Sequence, residues 1–250
     1  MVSTTASTPP NTSRAAAAAA AAATPKDPEA LREASPRLAA QDLAAQRGER
    51  LLFAGLEIEL RAGEVVWLRG TNGRGKTTLL RLLAGLSTPA EGTVCFEGVA
   101  MRSADPQWRR ELAYVAHANA LKDDLLAHEA LRFVAGLRGT PVPPQAVQAA
   151  LERLGVARQA RLPVRVLSQG QRRRVALARL ALPDPPRVWL LDEPFDALDD
   201  AGIGTLEALL RAHAASGGAV LLTSHQPLPA DLATRVLDLD AVSRTARPGS

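Results

Sequence analysis

Nine consecutive residues, Gly70-Thr71-Asn72-Gly73-Arg74-Gly75-Lys76-Thr77-Thr78, have the types and spacing to hold a phosphate chain. Glycines at 70, 73 and 75 let the backbone curl until successive N–H groups converge on an anion. Leu79, Leu80, Leu82, Leu83 and Leu86 recur at helical spacing, so the positive end of a helix dipole stands directly behind the curl. Ahead of it, Val65-Val66-Trp67-Leu68 is the short apolar run of a buried parallel strand. Strand, glycine loop and helix are the context that GxxxxGK[ST] requires, whereas a Gly-rich turn alone needs neither flank. Lys76 supplies a compact ammonium for β and γ phosphates, and Thr77 a hydroxyl for Mg2+, with Asn72 and Thr78 beside them. Lysine here is a marked choice, because only Lys26, Lys76 and Lys122 occur among 30 basic residues.

Carboxylates for the other half of such chemistry come from Asp192-Glu193. They end the apolar run Val188-Trp189-Leu190-Leu191, and ligands of open α/β sheets gather at the carboxyl ends of strands. Asp192 can hold Mg2+ through water, and Glu193 can orient or deprotonate an attacking water. Taken alone, two acids after a strand read better as solvated turn residues. His225, at the end of the run Ala219 to Ser224, is in the same position: after a strand a lone histidine is usually structural.

Order resolves these ambiguities. Leu167-Ser168-Gln169-Gly170-Gln171 resembles the LSGGQ signature of the ABC superfamily, with Gln169 in place of the first glycine. The phosphate loop precedes it, and Asp192-Glu193-Pro194, Ala197-Leu198-Asp199 and His225 follow it as that family's Walker B segment, D-loop and switch histidine do. The resemblance implies ATP and Mg2+, with Lys76, Glu193 and His225 around the γ-phosphate and Thr77 and Asp192 on the metal. It also implies a homodimer of ATPase subunits closed head to tail, in which Ser168 and Gly170 serve the ATP on the other protomer's loop.

Within the superfamily, about residues 38 to 240 resemble the ATP-binding subunits of the haem exporter of cytochrome c maturation. The marks are Glu49-Arg50-Leu51-Leu52-Phe53, the spacing His117, Lys122, Leu125, Glu129, Leu131, and Ser224-His225-Gln226-Pro227-Leu228. This implies integral membrane permease subunits of the haem-exporter type as partners, and a peripheral position on the cytoplasmic face of the inner membrane. His117 stands where most ABC ATPases carry a glutamine that senses Mg2+ and the membrane partner; Ala118 and Asn119 replace the subfamily's following Gln and Pro. The position of the usual adenine-stacking aromatic falls near Arg47. Another importer or exporter of drugs, lipids or small molecules would keep the same motifs, and a soluble ABC ATPase of nucleic-acid or ribosome function is a further alternative.

The elements that must position these residues follow from length and pattern. With 250 residues and 46% apolar content the chain can build one sizeable α/β domain. The expected fold is an α/β P-loop NTPase of ABC type: a parallel-sheet core, an antiparallel lead-in sheet and an inserted helical subdomain. The domain runs from 38 to 245, with the core over 38–116 and 168–245 and the helical part over about 117–167. The family resemblance implies that its edge near His117 to Glu129 is the groove for the membrane partner. Residues 1–37, rich in Ala, Ser, Thr and Pro, read as a disordered low-complexity arm. No run reaches the roughly 18 to 20 apolar residues of a membrane helix. A net charge of +4 with 3% aromatic residues offers no stacking platform for nucleic acid. Cys95, alone, cannot form an internal disulfide. Without CxxCH, and with His128 and His213 in helical patterns that suit packing, no direct haem binding is expected.

Overall fold

The computed structural model describes residues 36–101, 106–139, 141–233 and 235–242. The expected N-terminal arm lies outside them except for Pro36 and Arg37, and Arg37 pairs with Glu97 at 2.6 Å.

β1 (Leu38–Arg47) and β2 (Arg50–Leu60) form an antiparallel hairpin that pairs Leu38 with Leu60 at one end and Arg47 with Arg50 at the other, with register shifts between Ala40 and Gln46. β4 (Glu91–Phe96) and β5 (Val99–Ala100) extend it to a four-stranded sheet of order β2-β1-β4-β5. The second sheet is parallel throughout, in the order β6 (Leu112–Val115), β7 (Val188–Leu191), β8 (Ala219–Thr223), β3 (Val65–Arg69), β9 (Arg235–Asp238). β9 is absent from the sequence-based expectation. It lies at the sheet edge with Arg235 and Val236 exposed, so it lacks the apolar run that betrays its neighbours.

The parallel strands alternate between two cores, as the period of two demands. Val65, Trp189, Leu191, Val220 and Leu222 face one, shared with α3 (Ala127–Gly136), α4 (Pro144–Arg153), α5 (Gln169–Leu177) and α6 (Asp200–Ala215). Val66, Leu68, Val188, Leu190 and Leu221 face the other, against the antiparallel sheet and α1 (Lys76–Leu83). Each such side chain contributes about 1.5–3 kcal/mol by leaving water, which fixes the loops at the strand ends on a stiff base.

The leucine periodicity extends α1 to Leu86, but the helix stops at Leu83. Gly85 takes φ 66, its N–H bonds Leu82 O at 3.0 Å, and Leu86 N bonds Arg81 O at 2.9 Å. These paired bonds are a Schellman termination, and they leave Leu86 exposed beyond the helix. A short helix α2 (Pro106–Glu111) leads into β6. Between β6 and α5 lie α3, α4 and two 3-10 turns. Ser168 starts α5 with a reciprocal cap: its Oγ accepts from Gln171 N at 3.2 Å, and its N–H donates to Gln171 Oε1 at 3.0 Å.

Candidate active site

The phosphate loop joins the carboxyl end of β3 to α1. Gly75 caps α1 at φ 109, a conformation that only glycine takes without strain. A Cβ there would also stand 3.2 Å from the Phe53 ring and 3.3 Å from Leu52, so the loop sits directly on β2. Arg74, buried within the loop, donates to Leu52 O and Val242 O and pairs with Asp240 at 3.3 Å. Asp240 in turn accepts from Thr71 N (2.8 Å) and Thr71 Oγ1 (3.0 Å). Those hydrogen bonds, with Arg74 and Lys76 nearby, hold its carboxyl below the ordinary range. The loop is thus pinned at both shoulders before any ligand arrives.

Facing it is the end of β7. Asp192, buried, accepts from Thr77 Oγ1 at 2.8 Å on one oxygen and from Thr223 Oγ1 at 2.9 Å on the other. Glu193 is buried too and holds φ 47, a left-handed conformation costly for a residue with a Cβ. Its N–H donates to Thr223 Oγ1 at 2.7 Å, and its Oε2 accepts from His225 N at 2.9 Å. The His225 ring is exposed, with Nε2 3.6 Å from Glu193 Oε1. His117, also exposed, has Nδ1 3.5 Å from Asp196 Oδ2. Lys76 Nζ donates to Gly70 O at 2.7 Å.

One cavity of about 370 Å³ gathers Asn72, Gly73, Gly75, Lys76, Thr77, Thr78, His117, Asp192, Glu193 and His225. Gly70 does not line it, but its carbonyl accepts from Lys76, which does. Ser168 and Gly170 do not line it. Gly170 instead packs against the D-loop, where an added Cβ would come within 2.8 Å of Ala197 O.

The residue that the motif reading passes over is Arg173. It lies 2% exposed, with a guanidinium that donates to Ala116 O (2.9 Å), Asn119 Oδ1 (3.1 Å), Asp192 O (3.0 Å), Glu193 O (2.6 Å) and Pro194 O (3.3 Å). Burial lowers its pKa, against the opposing pull of Asp196, Asp192 and Glu193. The available signal is helical spacing, since Arg173 shares a face of α5 with buried Ala176 and Leu177. Of the two histidines outside the cavity, His128 Nδ1 lies 2.7 Å from Ala160 O, and His213 stacks on Trp189 at 3.8 Å between ring centroids.

A pinned phosphate loop opposite two strand-end carboxylates, with a capped LSQGQ helix on the same chain, defines an ATPase of the ABC class. The comparisons agree: the ABC transporter family model matches residues 53–196. A cytochrome c biogenesis ATP-binding export protein CcmA of Nitrosococcus oceani is 48% identical over 79% of this chain and 90% of its own length. The protein of that name from Aromatoleum aromaticum is 46% identical over 84% of this chain and 99% of its own. Among solved structures, an ATP-binding subunit of an ABC transporter superposes with TM-score 0.69 at 26% identity, covering 75% of this chain and 79% of that one. A bacterial ABC transporter cassette solved as a dimer gives 0.69 at 25%, covering 82% and 96%. The chain belongs to the ABC transporter ATP-binding family and, within it, to the CcmA group of cytochrome c biogenesis ATP-binding export proteins. It is an ATP-hydrolysing subunit.

Proposed function

We propose that two copies of this chain close head to tail around two ATP molecules and thereby drive a membrane complex that exports or delivers haem for cytochrome c maturation. The observation that carries this reading is the division of the motifs. Lys76, Thr77, Asp192, Glu193 and His225 meet in one cavity, while Ser168 and Gly170, the candidates on the LSQGQ segment, stand outside it and are free to serve a partner copy's cavity. Gly73 to Thr78 bind the phosphate chain through backbone N–H groups, and Lys76 leaves Gly70 O to bridge β and γ oxygens. Glu193 holds the attacking water in line and takes its proton, while His225 donates to the γ-phosphate as charge develops there. The Thr77 hydroxyl and the Asp192 carboxylate, both hard oxygen donors bonded to each other at 2.8 Å, suit Mg2+, which would neutralise phosphate charge when bound.

No helix among the described residues is long and apolar enough to cross a membrane; in this reading the chain is peripheral on the cytoplasmic face of the inner membrane, and integral permease subunits of the haem-exporter type are its partners. A second cavity of about 370 Å³, largely apolar, fits their docking segment. Leu86, Trp108, Tyr114, Leu137, Arg138 and Arg179 line it, and Leu86 and Leu137 are exposed. It lies at the C-terminal end of α3, away from the 117–129 edge expected from sequence. Haem, as the transported species, comes from the relatives' role in cytochrome c biogenesis.

Complementation of a strain lacking its own CcmA tests both halves of the proposal. Wild type should restore holocytochrome c. Glu193→Gln should bind ATP but lose turnover by about 100-fold or more in the assembled complex, and leave the strain without c-type cytochromes. Normal turnover in that variant would remove Glu193 from its role, and failure of wild type with its cognate permease would remove haem.

A further inference from the structure

The phosphate loop contains a turn whose two corners meet on one carboxylate from the far end of the domain. Arg74 N donates to Thr71 O at 3.2 Å, and Gly73 between them holds φ 74, in the left-handed region, so Thr71-Asn72-Gly73-Arg74 is a hydrogen-bonded turn. Its central residues, Asn72 and Gly73, line the nucleotide cavity, and its corners do not. The corners engage Asp240. Its Oδ2 accepts from Thr71 N at 2.8 Å, while its Oδ1 accepts from Thr71 Oγ1 at 3.0 Å and stands 3.3 Å from Arg74 Nε.

β9 brings that carboxylate into place. It pairs in parallel with β3 so that Asp238 lies beside Arg69, and the 3-10 turn Leu239–Ala241 follows where the phosphate loop begins. Asp238 Oδ1 accepts from Asp240 N at 2.9 Å and fixes this turn. Leu239 is fully buried against Gly70, where an added Cβ would stand 3.2 Å from Leu239 Cβ. Arg74 completes the tie, because its guanidinium also donates to Leu52 O and Val242 O and so joins the loop to β2 and to the residue after the turn. A bare carboxylate beside a triphosphate site would repel the ligand; here Arg74 and the two Thr71 donors meet its charge. A loop curled in advance loses less binding energy to ordering.

We infer that Asp240 and Arg74 are positioning residues of this ATPase, which hold the Thr71–Arg74 turn in its phosphate-binding form before nucleotide arrives, so that the segment after β9 sets affinity for the phosphate chain and not the rate of its cleavage. The inference rests on the assignment of the cavity to a nucleotide, so its test keeps the two apart. Equilibrium binding to the full-length protein is measured for ATP and for inorganic tripolyphosphate, both with Mg2+, and kcat is measured on the assembled complex at saturating ATP. If loss of the tie leaves the loop in its binding form for about a tenth to a third of the time, the apparent Kd rises about three- to tenfold. Asp240→Ala should show that rise for both ligands alike, with kcat within about twofold of wild type. The Asp240 side chain is 39% exposed, so its loss opens no void in the core. Asp240→Asn, which keeps the shape and an acceptor for Thr71 but loses the charge opposite Arg74, should give a smaller rise, and it carries the test if alanine impairs folding. Arg74→Met should weaken both ligands as well, and adding it to Asp240→Ala should cost less than about twofold more, because the two act as one tie. Unchanged binding, a loss confined to ATP, a fall in kcat with binding intact, or full additivity of the pair would each overturn the inference. A Lys76→Ala variant that binds both ligands normally would instead overturn the cavity assignment itself.

Discussion

Replacing Arg173 with methionine removes a buried guanidinium while keeping most of its volume. Five acceptors lose their donor. Asn119 can turn to water, but the carbonyls of Asp192 and Glu193 belong to buried residues at a strand end and cannot. Each stranded acceptor costs about 1–3 kcal/mol, partly offset because the guanidinium no longer has to be desolvated. A net loss of about 3–5 kcal/mol follows, and at about 2–4 °C per kcal/mol for a chain of this size the melting temperature falls by about 6–20 °C.

Catalysis should suffer separately. Glu193 keeps φ 47 because its peptide is gripped on both sides, N–H on Thr223 and C=O on Arg173. With one grip gone the residue relaxes, and its carboxylate leaves the line it shares with His225 N. Well below the lowered melting temperature, kcat of the assembled complex should drop at least about tenfold with KM for ATP within about twofold, since the Arg173 hydrogen bonds all go to residues outside Gly70–Thr78. Arg173→Lys, which keeps the charge and fewer donors, should recover part of both losses. A variant that melts early yet turns over normally at low temperature would refute the positioning role, and an unchanged melting temperature would refute the energetic one.

Burial of His213 against Trp189 lowers its pKa from 6.5 to about 4. Above pH 6.5 the ring is neutral folded or unfolded; between 6.5 and 4 only the unfolded chain takes the proton, so stability falls with pH across that window by up to about 3 kcal/mol. Melting temperatures of wild type and His213→Phe, which keeps a ring on Trp189, should diverge as pH drops through it; a constant difference would clear His213 of the acid sensitivity. Gly170→Ala would press a Cβ against Ala197 O and part α5 from the D-loop, so ATP-driven dimerisation in a Glu193→Gln background, read by size-exclusion chromatography, should be lost while the melting temperature moves little. A normal dimer peak would show that this contact does not shape the joining surface.

How much of each segment is legible in the sequence depends on how much it owes to local pattern. β3, β7 and β8 are short apolar runs because both their faces are buried, and the runs mark them. Leucine spacing continues past α1 to Leu86, while Gly85, in the left-handed region, ends the helix. β9 gives no such mark because edge exposure removes its apolar signal. The residues that gather in the cavity are legible because they follow the order of the family's motifs. The groups that hold those residues in place are not: Arg74, Asp240 and Arg173 act through carbonyls and hydroxyls far away in sequence, and an arginine run in a sequence looks like a solvated surface.

That run, Arg172-Arg173-Arg174, is where fold and proposed function join. Successive helical positions point about 100° apart, so three identical residues meet three environments. Arg172 donates to Leu167 O and Arg165 O and so shapes the approach to Ser168. Arg174 binds Leu154 O and the Asp199 carboxylate, which ties the helical segment to the D-loop. Arg173 turns inward to the peptide of Glu193. Ser168, which would face a partner's ATP, and Glu193, which would act on the chain's own, therefore hang on one helix, α5. A force on its N-terminus would reach the peptide of Glu193 through the buried Arg173 side chain. Closure around one ATP would then adjust hydrolysis of the other, and Arg173→Met should flatten the cooperativity of ATP turnover in the assembled complex as well as lower its rate; a Hill coefficient equal to wild type would show that the two sites communicate by another route.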